Sequence, residues 1–156
     1  LDLAKGKTQV QIEIKVEKFL GRYAGIEQKV IDAVNARGMV DDVIIISFDF
    51  PTIVEVKKLD PRFKTGALIN ATTLQLNAAK PHDKYVDEVL AETGADYIMP
   101  SSAAVSDLLV NAVHARGKKI GVWTVNAAGE MRRMAEWGVD AITTNDPPLL
   151  KQVLGK

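Results

Sequence analysis

An acid and a lysine two residues apart, Glu13 and Lys15, close the run from Thr8 to Val16. Residues 9, 11, 13 and 15 of this run are Gln, Gln, Glu and Lys, while residues 10, 12, 14 and 16 are Val, Ile, Ile and Val. Strict alternation predicts a strand whose successive side chains point to opposite faces. Glu13 and Lys15 then share one face, one pleat apart, opposite a fully apolar one. A carboxylate in that place can bind a hard cation through oxygen, and a lysine can hold a phosphate as a point charge. The same pattern also fits an ion pair or a strand face near water, because a charge on a buried strand needs a partner in any case.

Positioning such a pair requires a regular scaffold, and the rest of the chain reads as one. Strands are predicted near 8–16, 42–48, 64–70, 95–99, 119–124 and 139–144, and helices near 25–37, 51–59, 83–93, 104–116, 127–137 and 146–154. Val105, Leu108, Leu109, Ala112 and Val113 recur at the spacing of a core-facing helical stripe, as do Ile26, Val30 and Val34. Glycines 38, 94, 117 and 138 follow helical patterns, where a left-handed residue closes the last turn. Gly94-Ala95-Asp96 and Gly138-Val139-Asp140 each precede an apolar run, and Asp41-Asp42 precedes Val43-Ile44-Ile45-Ile46. A continuously apolar strand such as 43–46 is expected where both sheet faces are covered. Six strand–helix units in succession imply a parallel sheet with right-handed crossovers. No linker or low-complexity stretch interrupts them, so residues 1–156 read as one domain. The longest irregular stretch is 71–82.

Composition narrows the function. The 156 residues carry 20 Lys plus Arg against 20 Asp plus Glu, and no basic block stands out, which argues against a nucleic-acid footprint. There is no cysteine, which removes disulfides and thiolate chemistry without deciding the compartment. No stretch approaches the ~20 apolar residues of a membrane-spanning helix. The chain opens on Leu1-Asp2-Leu3, as a processed chain or a segment of a longer protein would.

In parallel α/β proteins function gathers at the carboxyl ends of strands. The ends other than Glu13–Lys15 offer Ser47-Phe48-Asp49, Pro100-Ser101-Ser102, Trp123-Thr124-Val125-Asn126 and Thr143-Thr144-Asn145-Asp146-Pro147. Trp123 could wall a small-molecule pocket, or it could be ordinary core. Trp137, before a helix-ending glycine, reads as core. Ser47 lacks the G-x-S-x-G context of a nucleophile and reads as a polar lining residue. His114 suits a helix C-terminus, and His82 lies in the long loop. There is no glycine-rich phosphate loop.

In order and spacing, Ile12-Glu13-Ile14-Lys15, Ile46-Ser47-Phe48, Gly94-Ala95-Asp96-Tyr97-Ile98, Val122-Trp123-Thr124-Val125-Asn126 and Gly138-Val139-Asp140-Ala141-Ile142-Thr143-Thr144 resemble the glycerophosphodiester phosphodiesterase family across nearly the whole chain. The resemblance implies a TIM (β/α)8 barrel of which this chain holds about six of eight units, the third through the eighth. It implies metal-dependent hydrolysis of glycerophosphodiesters to an alcohol and glycerol 3-phosphate, with Ca²⁺ or Mg²⁺ as cofactor. By that likeness Glu13 would be a metal ligand, Lys15 would hold the phosphate, and Trp123 would line the glycerol pocket.

The departures from the family shape the expectation equally. Members open with H-R-G and an E-x-D pair, and neither occurs in this sequence. Neither histidine sits in a motif matching the family's acid–base pair, and Glu13 stands alone of three acidic ligands. Asn145 occupies a position where the family has Asp. The chain is therefore expected to be the C-terminal portion of a longer enzyme, inactive by itself, with the N-terminal strands supplied elsewhere. Two further readings stay open. One is a non-catalytic, truncated barrel that binds a phosphorylated ligand or a partner chain, or self-associates through open barrel edges. The other is a different phosphate-handling barrel enzyme, disfavoured by the absence of glycine after the last strand.

Overall fold

The computed structural model describes residues 1–17 and 21–155. Their elements follow the order β1 (Val10–Glu13), α1 (Ile26–Asn35), β2 (Val43–Ser47), α2 (Phe50–Leu59), β3 (Lys64–Ile69), α3 (Ala71–Leu76), α4 (His82–Thr93), β4 (Tyr97–Pro100), α5 (Asp107–His114), β5 (Lys119–Val122), α6 (Ala128–Glu136), β6 (Ala141–Ile142) and α7 (Pro147–Val153). Every described strand pairing is parallel. The α/β reading of the sequence therefore stands. Two compact units make up the chain: Leu1–Leu68 with Val89–Asp96, and Ile69–Glu88 with Tyr97–Lys156. No described helix is long and apolar enough to cross a membrane.

In the first unit β2 is flanked by β1 and β3, with Glu13 opposite Ile46 and Ile46 opposite Gly66. All five residues of β2 are buried, as a central strand covered on both faces requires. Its Val43 and Ile45 pack with Ile14 of the β1 segment, with Ile31 and Val34 of α1, and with Val56 of α2. The alternation in β1 survives in three dimensions: Ile14 is buried while Gln11, Glu13 and Lys15 are exposed. In the second unit β4, β5 and β6 pair in sequence order, with Ile98 opposite Ile120 and Val122 opposite Ile142. Val122, Val125, Met131 and Met134 form a core there, against which Trp137, Leu149 and Leu150 pack.

The aspartates of the two glycine–x–aspartate repeats have the same structural role. Asp96 donates its N–H to Thr65 O (3.0 Å) and accepts Thr65 N–H on its carboxylate (2.8 Å). Asp140 does this with Ile120, at 2.9 and 2.8 Å. Each carboxylate also meets a cationic or ionisable group from the preceding helix layer: Lys57 of α2 lies 2.6 Å from Asp96, and His114 Nε2 of α5 lies 2.9 Å from Asp140. His114 thus has a specific carboxylate partner besides the helix C-terminus expected for it. Where α5 ends, Gly117 adopts φ 64°, and Lys118 N–H reaches back to Val113 O, which satisfies a carbonyl the helix leaves open.

Three expectations need correction. Stretch 71–82 is not irregular throughout: α3 forms at Ala71–Leu76, capped by the Asn70 side chain on Thr73 N–H. The β1 ladder is shorter than 8–16, spanning Val10–Glu13, although Ile14 N–H still bonds Ile46 O. In α5 the apolar stripe is displaced. Ser106 caps the helix at Leu109 N–H, so Val105 precedes the helix and Leu108 is 63% exposed, while Leu109, Val110, Ala112 and Val113 are buried.

Burial pushes the Asp140 carboxyl upward, but the Ile120 N–H, His114 and Lys119 outweigh it and hold it below the ordinary carboxylate value. Asp140→Ala is expected to lower stability by about 1–2 kcal/mol in denaturant unfolding, because the Ile120 N–H, on a residue with no exposed surface, loses its acceptor. A depressed folded-state carboxyl contributes fully above its unfolded value, about 3.9, and the contribution disappears as pH falls through the folded value. The deficit of the variant should therefore shrink below about pH 4.

Candidate functional site

Where β1 and β2 end, a cavity of about 410 Å³ opens, lined by Glu13, Lys15, Glu17, Ser47, Phe48 and Asp49. Its size falls within the range of small-molecule pockets, roughly 300–1,000 Å³. The pleat of β1 places Glu13 and Lys15 on the same side, and the parallel register sets Ile46 beside Glu13. Lys15 Nζ lies 3.9 Å from Glu13 Oε2, with the lysine side chain 73% exposed and the glutamate 31% exposed. At that exposure the pair is worth little to stability. The lysine charge is accessible to an incoming anion.

The other polar groups of the cavity wall hold the chain in shape. The Ser47 hydroxyl, on a residue 1% exposed, donates to Ile14 O (2.7 Å) and accepts Asp49 N–H (3.0 Å). It ties the end of β2 to the segment carrying Lys15, and it is not free to act as a nucleophile. Asp49 caps α2 by accepting Thr52 N–H (2.9 Å) and lies 3.5 Å from Arg22 Nε. Behind it Glu27 of α1, 5% exposed, accepts a 2.5 Å bond from Arg22 Nη2 and lies 3.3 Å from the Thr52 hydroxyl. Burial pushes the Glu27 carboxyl up, and Arg22, a backbone N–H and Thr52 together bring it below its ordinary value. This Arg22–Glu27–Asp49–Thr52 group escapes sequence reading. Its members lie up to 30 residues apart in the chain, and no periodicity connects them.

Trp123 belongs to the second unit. Its indole N–H donates to Met99 O at 2.8 Å, which fixes the ring at the end of β5. Two residues earlier, a Cβ on Gly121 would come within 3.0 Å of the Met99 methyl, so glycine leaves room for Met99 on that face. Beyond Trp123, Asn126 accepts from Asn145 N–H (3.0 Å) and from the Thr144 hydroxyl (3.3 Å), joining the ends of β5 and β6. The unusual Asn145 therefore contributes its backbone to this junction.

A divalent cation of the Ca²⁺ or Mg²⁺ type wants about six to eight oxygen ligands, or waters held by several carboxylates. Among the described residues no three His, Cys, Asp or Glu side chains converge to hold a metal ion. Asp49 is engaged with Thr52 and Arg22. The described residues do not build a metal centre; Glu13 could contribute one ligand at most.

Residues 1–149 match the Glycerophosphoryl diester phosphodiesterase family. A glycerophosphodiester phosphodiesterase of Caldanaerobacter subterraneus subsp. tengcongensis is 29% identical over 158 residues, covering 97% of this chain and 58% of that protein. One from Bacillus subtilis is 30% identical over 139 residues, covering 84% of this chain and 45% of that protein. This chain therefore spans about half the length of the relatives it matches. The crystal structure of a glycerophosphodiester phosphodiesterase from Agrobacterium tumefaciens superposes with a TM-score of 0.73 at 24% identity, over 99% of this chain and 59% of that one. An Oleispira antarctica phosphodiesterase, solved in complex with the product sn-glycerol-3-phosphate, superposes with a TM-score of 0.66 at 16% identity, over 94% and 56%. These likenesses establish the fold: six parallel βα units corresponding to over half of a TIM barrel.

Two substitutions separate shape from charge at this site. Ser47→Ala is expected to cost about 1–3 kcal/mol in unfolding experiments, because Ile14 O and Asp49 N–H both lose a buried partner. Lys15→Ala should change stability by no more than about 0.5 kcal/mol.

Proposed function

Because the chain belongs to the glycerophosphoryl diester phosphodiesterase family, we propose that it carries the phosphate-gripping part of a site for glycerophosphodiesters. In the full-length enzyme that site hydrolyses them to an alcohol and glycerol 3-phosphate. The observation that carries this reading is the shared placement of Glu13 and Lys15 on one cavity wall, with the lysine open to solvent. Lys15 neutralises phosphate charge as a mobile point donor. Glu13 offers one oxygen toward a Ca²⁺ or Mg²⁺ cofactor whose remaining ligands lie outside the described residues. Trp123, its indole N–H held by the Met99 carbonyl, is the residue that the family resemblance would set against the glycerol carbons in the full-length enzyme.

A second reading has its own support. With no converging metal-ligand group among the described residues, the chain by itself is a phosphate-ligand binding module rather than a catalyst. Proton-transfer groups are worth roughly 10²–10⁴ in rate, and among the described residues of the cavity wall there is no histidine. β1 pairs with β2 on one side, and its other edge suits a further strand from a partner segment or a second copy.

The test is calorimetric titration of glycerol 3-phosphate into the 156-residue chain, with a parallel assay of glycerol 3-phosphate release from glycerophosphocholine. Binding should weaken about tenfold in Lys15→Ala, the worth of one charge-assisted contact. Glu13→Gln should reduce any gain in affinity produced by added Ca²⁺ or Mg²⁺. Turnover by the chain alone should be negligible; robust metal-dependent release would overturn the modular reading, and unchanged affinity in Lys15→Ala would overturn the assignment of the phosphate grip.

A further inference from the structure

A second cavity, of about 320 Å³, lies in the second unit against α3, the first turns of α4 and α5, and the turn Ser102–Ala104. Leu74, Leu109 and Ala104 give it an apolar wall, and Asn77, His82 and Tyr85 bring polar groups to it. Tyr85 is only 6% exposed, and among the described residues its buried hydroxyl has no hydrogen-bond partner. A buried hydroxyl without a partner carries a desolvation cost that a tightly packed side chain rarely bears. Burial, with Glu88 nearby, pushes its pKa up to about 12, so the group stays a neutral O–H donor across the physiological range.

Three of the neighbouring polar groups are engaged with one another or with the backbone. The Ser106 hydroxyl accepts Leu109 N–H at 3.2 Å as the cap of α5 and lies 3.1 Å from His82 Nε2. The Asn77 amide nitrogen donates to Thr73 O at 2.8 Å. The unmet need is therefore for an acceptor facing Tyr85. Among the described residues no Lys, Arg, Asp or Glu lines the cavity, and the Nε2 of His82 is engaged with the Ser106 hydroxyl, so a charged guest finds little there to neutralise it. The volume sits at the small end of the range for ligand pockets.

We propose that this cavity binds a small uncharged molecule with an apolar body and one hydrogen-bond acceptor, which takes the proton of the Tyr85 hydroxyl. Its walls come from α3, α4 and α5 and include neither Glu13, Lys15 nor Trp123, so it is a separate site. The residue chemistry fixes the class of guest: an aryl or short alkyl ketone, ester or ether, rather than a phosphate or a carboxylate.

Three probes of matched size separate the contributions: acetophenone, which carries an acceptor; ethylbenzene, which lacks one; and benzoate, which is charged. Each is titrated into the 156-residue chain and followed by backbone amide NMR shifts. Acetophenone should give saturable shifts concentrated at residues 74–85 and 103–109, with affinity about 3–10-fold above ethylbenzene, the worth of one hydrogen bond. Benzoate should bind most weakly. Tyr85→Phe keeps the ring volume and removes only the hydroxyl; it should fold normally and bind acetophenone and ethylbenzene alike. Ala104→Leu should fill the cavity and abolish both. Absence of saturable shifts at those residues would overturn the proposal, as would a Tyr85→Phe variant that retained the full preference for acetophenone.

Discussion

A carboxylate at the entrance of a returning strand sets the alignment of the strand beside it. Asp96 and Asp140 each exchange two bonds with one backbone residue, Thr65 or Ile120, and add a third contact to Lys57 or His114 from the helix that leads into that neighbouring strand. Strand start, neighbouring strand and helix are thereby coupled at one point. A one-residue slip would carry a whole set of side chains to the other face, so this coupling protects the separation of apolar and polar faces. In the first unit the β1, β2 and β3 ladders set their own row, Glu13, Ile46, Gly66. The position of the acidic group at the cavity wall is thus a consequence of the β1–β2 register.

Around that cavity the polar residues fall into two kinds. Ser47, Asp49, Thr52 and Glu27 are buried or half-buried and satisfy one another or the backbone. Lys15 and Glu13 reach toward solvent with a loose mutual contact. Groups tied down by hydrogen bonds thus stand beside groups open to solvent. This division explains why an apparent cluster of acids does not amount to a metal centre among the described residues.

Much of this architecture is legible in the amino-acid order. The alternation of β1, the unbroken apolar run of β2 and the glycine–x–aspartate repeats all report backbone geometry, because strand faces and helix closures are set by neighbours in the chain. The Glu13–Lys15 pair is readable for the same reason. What escaped reading has one of two causes. α3 is a single capped turn and a half with two threonines and one buried leucine, too short for its period to show. Leu108 leaves the predicted stripe because the Ser106 cap, rather than the apolar spacing, sets where α5 begins. The Arg22–Glu27–Asp49–Thr52 group, and the unmet hydroxyl of Tyr85, arise from contacts between elements and have no signature along the chain.

Both tryptophans of the protein, Trp123 and Trp137, lie in the second unit. Trp123 is held through its indole N–H by Met99 O, and Trp137 packs on the second core with the Arg133 guanidinium 5.6 Å from its ring centre. Indole emission is therefore a spectroscopic witness of one half of the molecule. Far-ultraviolet dichroism, which sees every peptide bond, also registers loss of order around α1 and β2, which carry no tryptophan. A difference between the two unfolding curves would show directly whether the two halves melt together.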